Sequence, residues 1–341
     1  MPSPAQADRS TLTVAIVGAG QVGQQHTRAF AQLSPDVHII GIADIDEQRA
    51  AELAAICGAR AFTDYQALLD LAPDIAVICL PHHLHREAGL TAAAAGSHIL
   101  MEKPLAHTVE DAYAILDGCR QHGVLLSVGF VHRYRTEFQQ AYQLITSGQI
   151  GTPAIAIDNF CSQGGVHVPG WVWRKQHAGG GVLMYGGIHS IDRLRWLLDS
   201  EVQEVFARAV TYSQDVDVED GLLATLIFAN GCLATLAENS PCYLVTPRVW
   251  DTEIYGSQGR VRVRTREYLE FSSDSHAYRL NVTRDDNFAA QAREFVAAVW
   301  ERREPWITGK DGLRALEVAM AIYRSAELGQ PVPVSDFRKN L

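Results

Sequence analysis

Leu12-Thr-Val-Ala-Ile-Val17, running directly into Gly18-Ala-Gly20-Gln-Val-Gly23, decides the fold. Six strand-forming residues meet a G-x-G-x-x-G pattern, and Gln21 to Leu33 behind it carries apolar residues at helical spacing. In this setting each glycine has its own task. Gly18 permits the tight turn, Gly20 lets backbone approach a pyrophosphate, and Gly23 lets helix pack on strand. The helix N-terminus, with Gln21 and Val22 in its first turn, then faces the anion. The pattern alone is weak; its strand, loop and helix setting makes a dinucleotide site the expectation.

Working outward, the same rhythm continues to about Phe130. Strands are expected at Leu12 to Val17, His38 to Ala43, Asp74 to Leu80, His98 to Met101 and Val124 to Gly129. Helices are expected at Gln21 to Leu33, Asp46 to Cys57, Leu84 to Gly96 and Val109 to His122. Alternating strands and helices predict an α/β fold, here a doubly wound parallel Rossmann sheet over residues 1–130. Residues 131–341 read as a second α/β domain with a large, open, mostly antiparallel sheet. Its helices are expected at Tyr134 to Ser147, Gly187 to Leu198, Phe288 to Arg303 and Gly312 to Leu328. Asn230-Gly231, between Leu222 to Phe228 and Cys232 to Ala237, is a strong hairpin signal. A second hairpin is expected around Gly256-Ser-Gln-Gly259, from Thr252 to Tyr255 and Val261 to Arg264.

Asp44 ends the second strand where an acidic side chain accepts hydrogen bonds from adenosine ribose hydroxyls. A carboxylate there repels a 2'-phosphate and Ile45 supplies no cation, so NAD is expected rather than NADP. Asp44 could instead cap the next helix, a role Asp46 fills equally well. Leu80-Pro81-His82-His83-Leu84-His85 follows the next strand and is expected to border the cofactor. No Cys or acidic partner accompanies the three histidines at zinc spacing, so no metal is expected. Glu102 and Lys103 stand at the C-terminal end of His98 to Met101, on the ligand-binding edge of such a sheet. Lys103 could hydrogen-bond a substrate hydroxyl, or be a surface lysine in a turn. In Gly179-Gly-Gly-Val-Leu-Met-Tyr185-Gly-Gly-Ile-His189-Ser-Ile-Asp192, Tyr185 and His189 share a face if the helix starts near Tyr185, and the triple glycine leaves room for a ligand. A single helical histidine is as readily a satisfied structural residue.

The chain has 341 residues, 47% hydrophobic and 20% charged, with a formal charge of −10. That balance excludes disorder and disfavours nucleic-acid partners, which need clustered cations. Six cysteines without a CxxC pair read as reduced core residues of a cytoplasmic protein. The first nine residues lack the apolar core of a signal peptide, and no stretch is suited to spanning a bilayer.

Taken together these residues resemble the Gfo/Idh/MocA oxidoreductases. The likeness runs through Gly18 to Gly23, Asp44, Pro81 to His85, Glu102-Lys-Pro-Leu-Ala106, Val128-Gly-Phe130 with Arg133-Tyr134, Trp173-Arg174, Gly179 to Asp192 and Gly312 to Val318. The resemblance implies Lys103 and His189 as catalytic positions, with a secondary alcohol or ketone carbon of a sugar, sugar derivative or cyclitol exchanging hydride with NAD. It also implies oligomerisation through the second domain's sheet, as a homodimer or homotetramer. Where many members carry Asp four residues before the histidine, this chain has Tyr185, whose phenol could donate to a substrate oxygen. Trp171, Trp173, Arg133 and Arg174 suit a polyol, aromatic faces packing on C–H groups and guanidinium binding oxygens. Two rival functions remain: glycoside cleavage through transient oxidation by bound NAD, and dinucleotide binding by a non-catalytic regulatory protein.

Overall fold

The computed structural model describes residues 11–161, 168–213, 215–240, 248–282 and 286–338. Its chain divides into two compact units.

The first unit comprises the chain up to Ala106, Glu110–Val131 and Asp286–Asp311. Its elements run β1 (Leu12–Val17), α1 (Gln21–Ala31), β2 (Val37–Ala43), α2 (Glu47–Cys57), β3 (Arg60–Phe62), α3 (Tyr65–Leu69), β4 (Ile75–Ile78), α4 (His85–Ala94), β5 (His98–Met101), α5 (Val109–His122) and β6 (Leu126–Val128). All six strands are parallel in the order β3-β2-β1-β4-β5-β6. The connection reverses direction across the sheet between β1 and β4, the topological switch point where such sheets take ligands. β1 and β4 are buried on nearly every residue because helices cover both faces, which is why they read as continuous apolar runs. The helix Asn287–Glu301 packs on α1 and contributes Ala292, Phe295 and Val296 to the core around Val14, Ile16, Phe30 and Ile75. This late segment therefore groups with the nucleotide half, whereas the sequence reading placed all of 131–341 in the second domain. Helical spacing reveals an apolar stripe but not which core receives it.

The second unit comprises His107–Val109, His132–Asp285 and Gly312–Leu341. It holds α6 (Thr136–Thr146), β7 (Pro153–Cys161), the short α7 (Lys175–Ala178), α8 (Ile188–Leu197), β8 (Val202–Val210), β9 (Gly221–Phe228), β10 (Leu233–Asn239), β11 (Val249–Gly256), β12 (Gly259–Arg264), β13 (Tyr268–Ser273) and β14 (Ala277–Asn281). After α9, the helix Asn287–Glu301 named above, come α10 (Gly309–Leu328) and β15 (Val332–Pro333). Nine strands order as β14-β13-β12-β11-β7-β10-β9-β8-β15, antiparallel except for the β7–β10 pair. Both expected hairpins are present, β9–β10 around Asn230-Gly231 and β11–β12 around Ser257-Gln258.

The sheet's inner face carries Ala156, Phe160, Ala224, Leu226, Leu236 and Ile254. Its outer face alternates in register: Leu223 is 65% exposed, Leu233 44%, Ile155 43% and Phe206 40%. Among the described residues nothing covers that apolar outer face, so alternation is real although the sequence runs apolar on both faces. Further along the same sheet, β11 to β14 turn charged, with Arg260 paired to Glu253 at 2.7 Å and Arg264 to Asp251 at 2.5 Å.

Candidate active site

Gly18 takes φ +104°, a conformation costly for any side chain, and a Cβ there would also collide with the Cys79 carbonyl. A Cβ on Gly23 would strike the Gly18 carbonyl, so α1 seats directly on the loop. Gly20 is the N-cap of α1, with no side-chain acceptor on the first-turn amides and no acidic residue in that turn. A glycine N-cap leaves the first-turn amides without a side-chain acceptor, at a cost of a few tenths of a kcal/mol. An anion at the first-turn amides restores that stabilisation, so the loop fits a dinucleotide pyrophosphate. Gln21 and Val22 are exposed on this first turn.

Asp44 ends β2 with its side chain turned to the loop: Oδ2 accepts the Ala19 amide at 2.8 Å and Oδ1 the Asp46 amide at 2.9 Å. Asp46, not Asp44, caps α2 by accepting from Arg49 N–H. A carboxylate has about four acceptor sites, and with the Ala19 and Asp46 amides and Arg49 on it Asp44 retains about one for a ribose hydroxyl. Ile45 is 92% exposed and indeed brings no cation. The sequence reading overlooked one five residues on: Arg49 Nη2 lies 2.9 Å from Asp44 Oδ1.

Two residues expected at the cofactor have other partners. His85 is fully buried, with Nδ1 3.0 Å from the Pro104 carbonyl and Nε2 2.9 Å from that of Leu80. The ring thus lies between the loop after β4 and the turn after β5, able to donate to one carbonyl at a time while neutral, and burial lowers its pKa. Glu102 is buried and turns inward to His26, Oε1 to Nε2 at 2.8 Å, through space that a Cβ on Gly129 would enter at 2.6 Å. His82 is buried, while Leu80 and Pro81 are half-buried. Lys103 is half-buried at the end of β5; burial pulls its ammonium below the ordinary lysine range, and the Glu102 carboxylate opposes this. Among the described residues no cluster of three or more His, Cys, Asp or Glu is placed to hold a metal ion.

In the second unit, His189 opens α8 after a π-helical turn, Leu183–Gly187. Such wide turns gather at functional sites. Tyr185 packs against the apolar cluster of Val168, Val172, Trp173 and Val218, beside Trp171. Trp173 is a core residue there, 7% exposed, while Arg174 is exposed. The triple glycine makes no room for a ligand: a Cβ on Gly180 would strike the Tyr323 hydroxyl, and one on Gly181 the Glu219 carbonyl. Glu219 organises this turn by accepting the Gly181 and Leu183 amides at 2.9 and 3.0 Å.

Arg133 is also committed inside the protein. Its Nε and Nη2 grip Asp192 at 3.0 and 2.5 Å, with both side chains buried. The sequence reading missed the surroundings of His189 altogether. His132 stacks on it at 4.4 Å, Trp250 meets its edge at 5.8 Å, and beneath them Arg193 pairs with Asp158 at 2.5 Å. Glu238 is buried nearby, beside Ser190 and Asp158. The five described cysteines are free thiols, and burial pushes Cys119 up to about 12 and Cys232 to about 11. No described helix is long and apolar enough to cross a membrane.

A doubly wound sheet with an uncapped glycine loop at its switch point and an acidic residue after β2 defines an NAD-binding oxidoreductase. The chain belongs to the Gfo/Idh/MocA family: residues 12–130 match the oxidoreductase family with an NAD-binding Rossmann fold, and residues 138–262 match the GFO/IDH/MocA C-terminal domain. It is 28% identical to D-glucoside 3-dehydrogenase of Escherichia coli (strain K12), over 95% of this chain and 97% of that protein. It is 25% identical to myo-inositol 2-dehydrogenase of Thermotoga maritima, over 95% of this chain and 99% of the relative. Among solved structures, levoglucosan dehydrogenase in complex with NADH and levoglucosan superposes with a TM-score of 0.88 at 25% identity, covering 95% of this chain and 99% of that one.

Proposed function

We propose that this chain is an NAD-dependent dehydrogenase acting on a secondary alcohol or ketone carbon of a sugar, sugar derivative or cyclitol. The observation that carries the reading is Lys103, half-buried at the C-terminal end of β5 in the unit that holds the glycine loop, with its ammonium depressed by burial. Relatives named for glucosides, inositol and levoglucosan support the substrate class.

Bound NAD supplies the hydride acceptor. Lys103, when protonated, acts as a hydrogen-bond donor to the substrate oxygen. His189 acts as the base for the hydroxyl proton. Arg174, the exposed guanidinium of the Trp173-Arg174 pair, binds other hydroxyls. Copies of the chain associate as a homodimer or homotetramer through the uncovered sheet face, and the enzyme works in the cytoplasm. A screen of inositols, free aldoses, glycosides and anhydrosugars with NAD, read at the NADH absorbance band, tests the activity. Steady NADH production with at least one substrate is expected. NAD binding without NADH from any of them would overturn the reading.

A further inference from the structure

His132 and His189 form a face-to-face pair, ring centroids 4.4 Å apart and planes 11° from parallel. Phe138 lies parallel to His132 at 5.9 Å, and Trp250 meets His132 edge-on at 4.4 Å. His132 is only 5% exposed, and Arg193 Nη1 lies 2.9 Å from its Nδ1. A guanidinium has donors and no acceptor, so Nδ1 must present its lone pair and the ring proton must sit on Nε2.

Arg193 is itself held by an ion pair and ring contacts. Its Nη2 reaches Asp158 Oδ2 at 2.5 Å, the same oxygen accepts Thr252 Oγ1 at 2.7 Å, and the guanidinium lies 4.7 Å from the Phe138 ring and 5.2 Å from that of Trp250. The next residue along, Arg133, clamps the same segment to α8 through Asp192. Two consecutive side chains therefore bind this segment to the helix that carries His189. Burial first, then His189 and the arginines Arg135, Arg193 and Arg266, hold the His132 pKa well below the ordinary value of 6.5.

A structural role for His132 as the acceptor of Arg193 is met through Nδ1 alone; it does not call for a second imidazole on the ring face. We propose that His132 is a positioning residue for His189: locked by Arg193 as a neutral ring, it holds the His189 imidazole by its face, so that of the two only His189 exchanges a proton. The proposal rests on the reading of His189 as the base. A neutral π face against His189 accommodates the imidazolium that forms when it takes the substrate proton, where a second cation would oppose it.

Two variants separate the two contacts of His132. His132→Asn keeps an acceptor where Nδ1 stood and removes the ring, while His132→Phe keeps the ring face and strips Arg193 of its acceptor. With the best substrate of the sugar and cyclitol panel, kcat should fall at least about tenfold in His132→Asn with the Kd for NAD unchanged, and no more than about threefold in His132→Phe. Thermal stability should rank them the other way, because His132→Phe leaves a buried donor unpaired. A merely structural role would make kcat follow stability. As a substrate-free check, long-range 1H–15N spectra of the full chain should keep His132 in the neutral Nε2–H form from about pH 5 to 8. Titration of His132 within that window, or a His132→Asn kcat within about twofold of wild type, would overturn the proposal. His189→Ala distinguishes the two failures: if it turns over normally, the base reading falls and the proposal with it. If His189→Ala is inactive while His132→Asn is normal, the proposal alone falls.

Discussion

Asp44 and Arg49 are ion-paired at the C-terminal end of β2, Nη2 to Oδ1 at 2.9 Å, while the other carboxylate oxygen holds the Ala19 amide of the glycine loop. Asp44 therefore both repels a 2'-phosphate and occupies a nearby cation, Arg49, that could receive it. NAD should bind more tightly than NADP. Asp44→Ser should raise NADP affinity by roughly tenfold, about 1.4 kcal/mol, because it frees Arg49 for phosphate. Adding Arg49→Ala should cancel that gain. Equal affinities of the unmodified protein for both dinucleotides, by titration calorimetry, would contradict this account.

Glu102 opposes the effect of burial on Lys103. Fixed by His26, its carboxylate accepts the Lys103 amide at 3.2 Å and raises the ammonium's pKa against the lowering effect of burial. Glu102→Gln removes that opposing charge, so the Lys103 pKa should fall further. If Lys103 works protonated, activity is lost as pH rises through its pKa, and the alkaline limb of kcat/KM should lie below 10.5 in wild type. In Glu102→Gln it should move down by about one unit. A limb that does not move would show that Lys103 is not the titrating donor.

Glu238 should make the fold less stable as pH rises. Burial, then the neighbouring Asp158, push its pKa well above the ordinary 4.5. The unfolded chain releases this proton first, so unfolding becomes easier between the unfolded and folded pKa values, and no such loss occurs below the unfolded one. Glu238→Gln is neutral at every pH and should raise the melting temperature at pH 8 more than at pH 4. Calorimetry showing the opposite order would refute this.

Much of this architecture was legible because periodicity and turn chemistry are local. β1, β5 and α5 begin and end where the apolar runs and glycines place them, and both hairpin turns were readable from their glycines. β3 spans only three residues, and α3 one short turn, too little for periodicity to register. β7 escaped because Asp158 interrupts its apolar alternation, a buried charge whose partner Arg193 lies 35 residues away. Gly18, Gly20, Gly23 and Asp44 could be read because their chemistry is contained in one strand, loop and helix. His132, Trp250 and Glu238 could not, since only tertiary packing brings them to α8. His26 did carry a signal: it lies on the buried stripe of α1 with Gly23, Thr27 and Phe30, where a polar residue needs a buried partner.

The outer sheet face should hold copies of the chain together. Ile155 faces Leu233 across the β7–β10 pair, and Leu223 stands two residues from Thr225, whose β8 partner Phe206 is also exposed. An apolar patch of this kind is where monomers associate. Leu223→Lys with Leu233→Glu should yield monomers with cofactor affinity preserved. Sedimentation of the unmodified protein as a monomer at micromolar concentration would contradict the expectation.

The stoichiometry between substrate oxidised and NADH formed tests the central claim most directly. With the best sugar or cyclitol from the screen, one NADH should accumulate for each hydroxyl converted to a carbonyl, and Lys103→Ala should lower the rate by about two orders of magnitude or more while still binding NAD. Glycoside cleavage without accumulating NADH would show that bound NAD is used only transiently. Undiminished turnover by Lys103→Ala would show that the site has been misplaced.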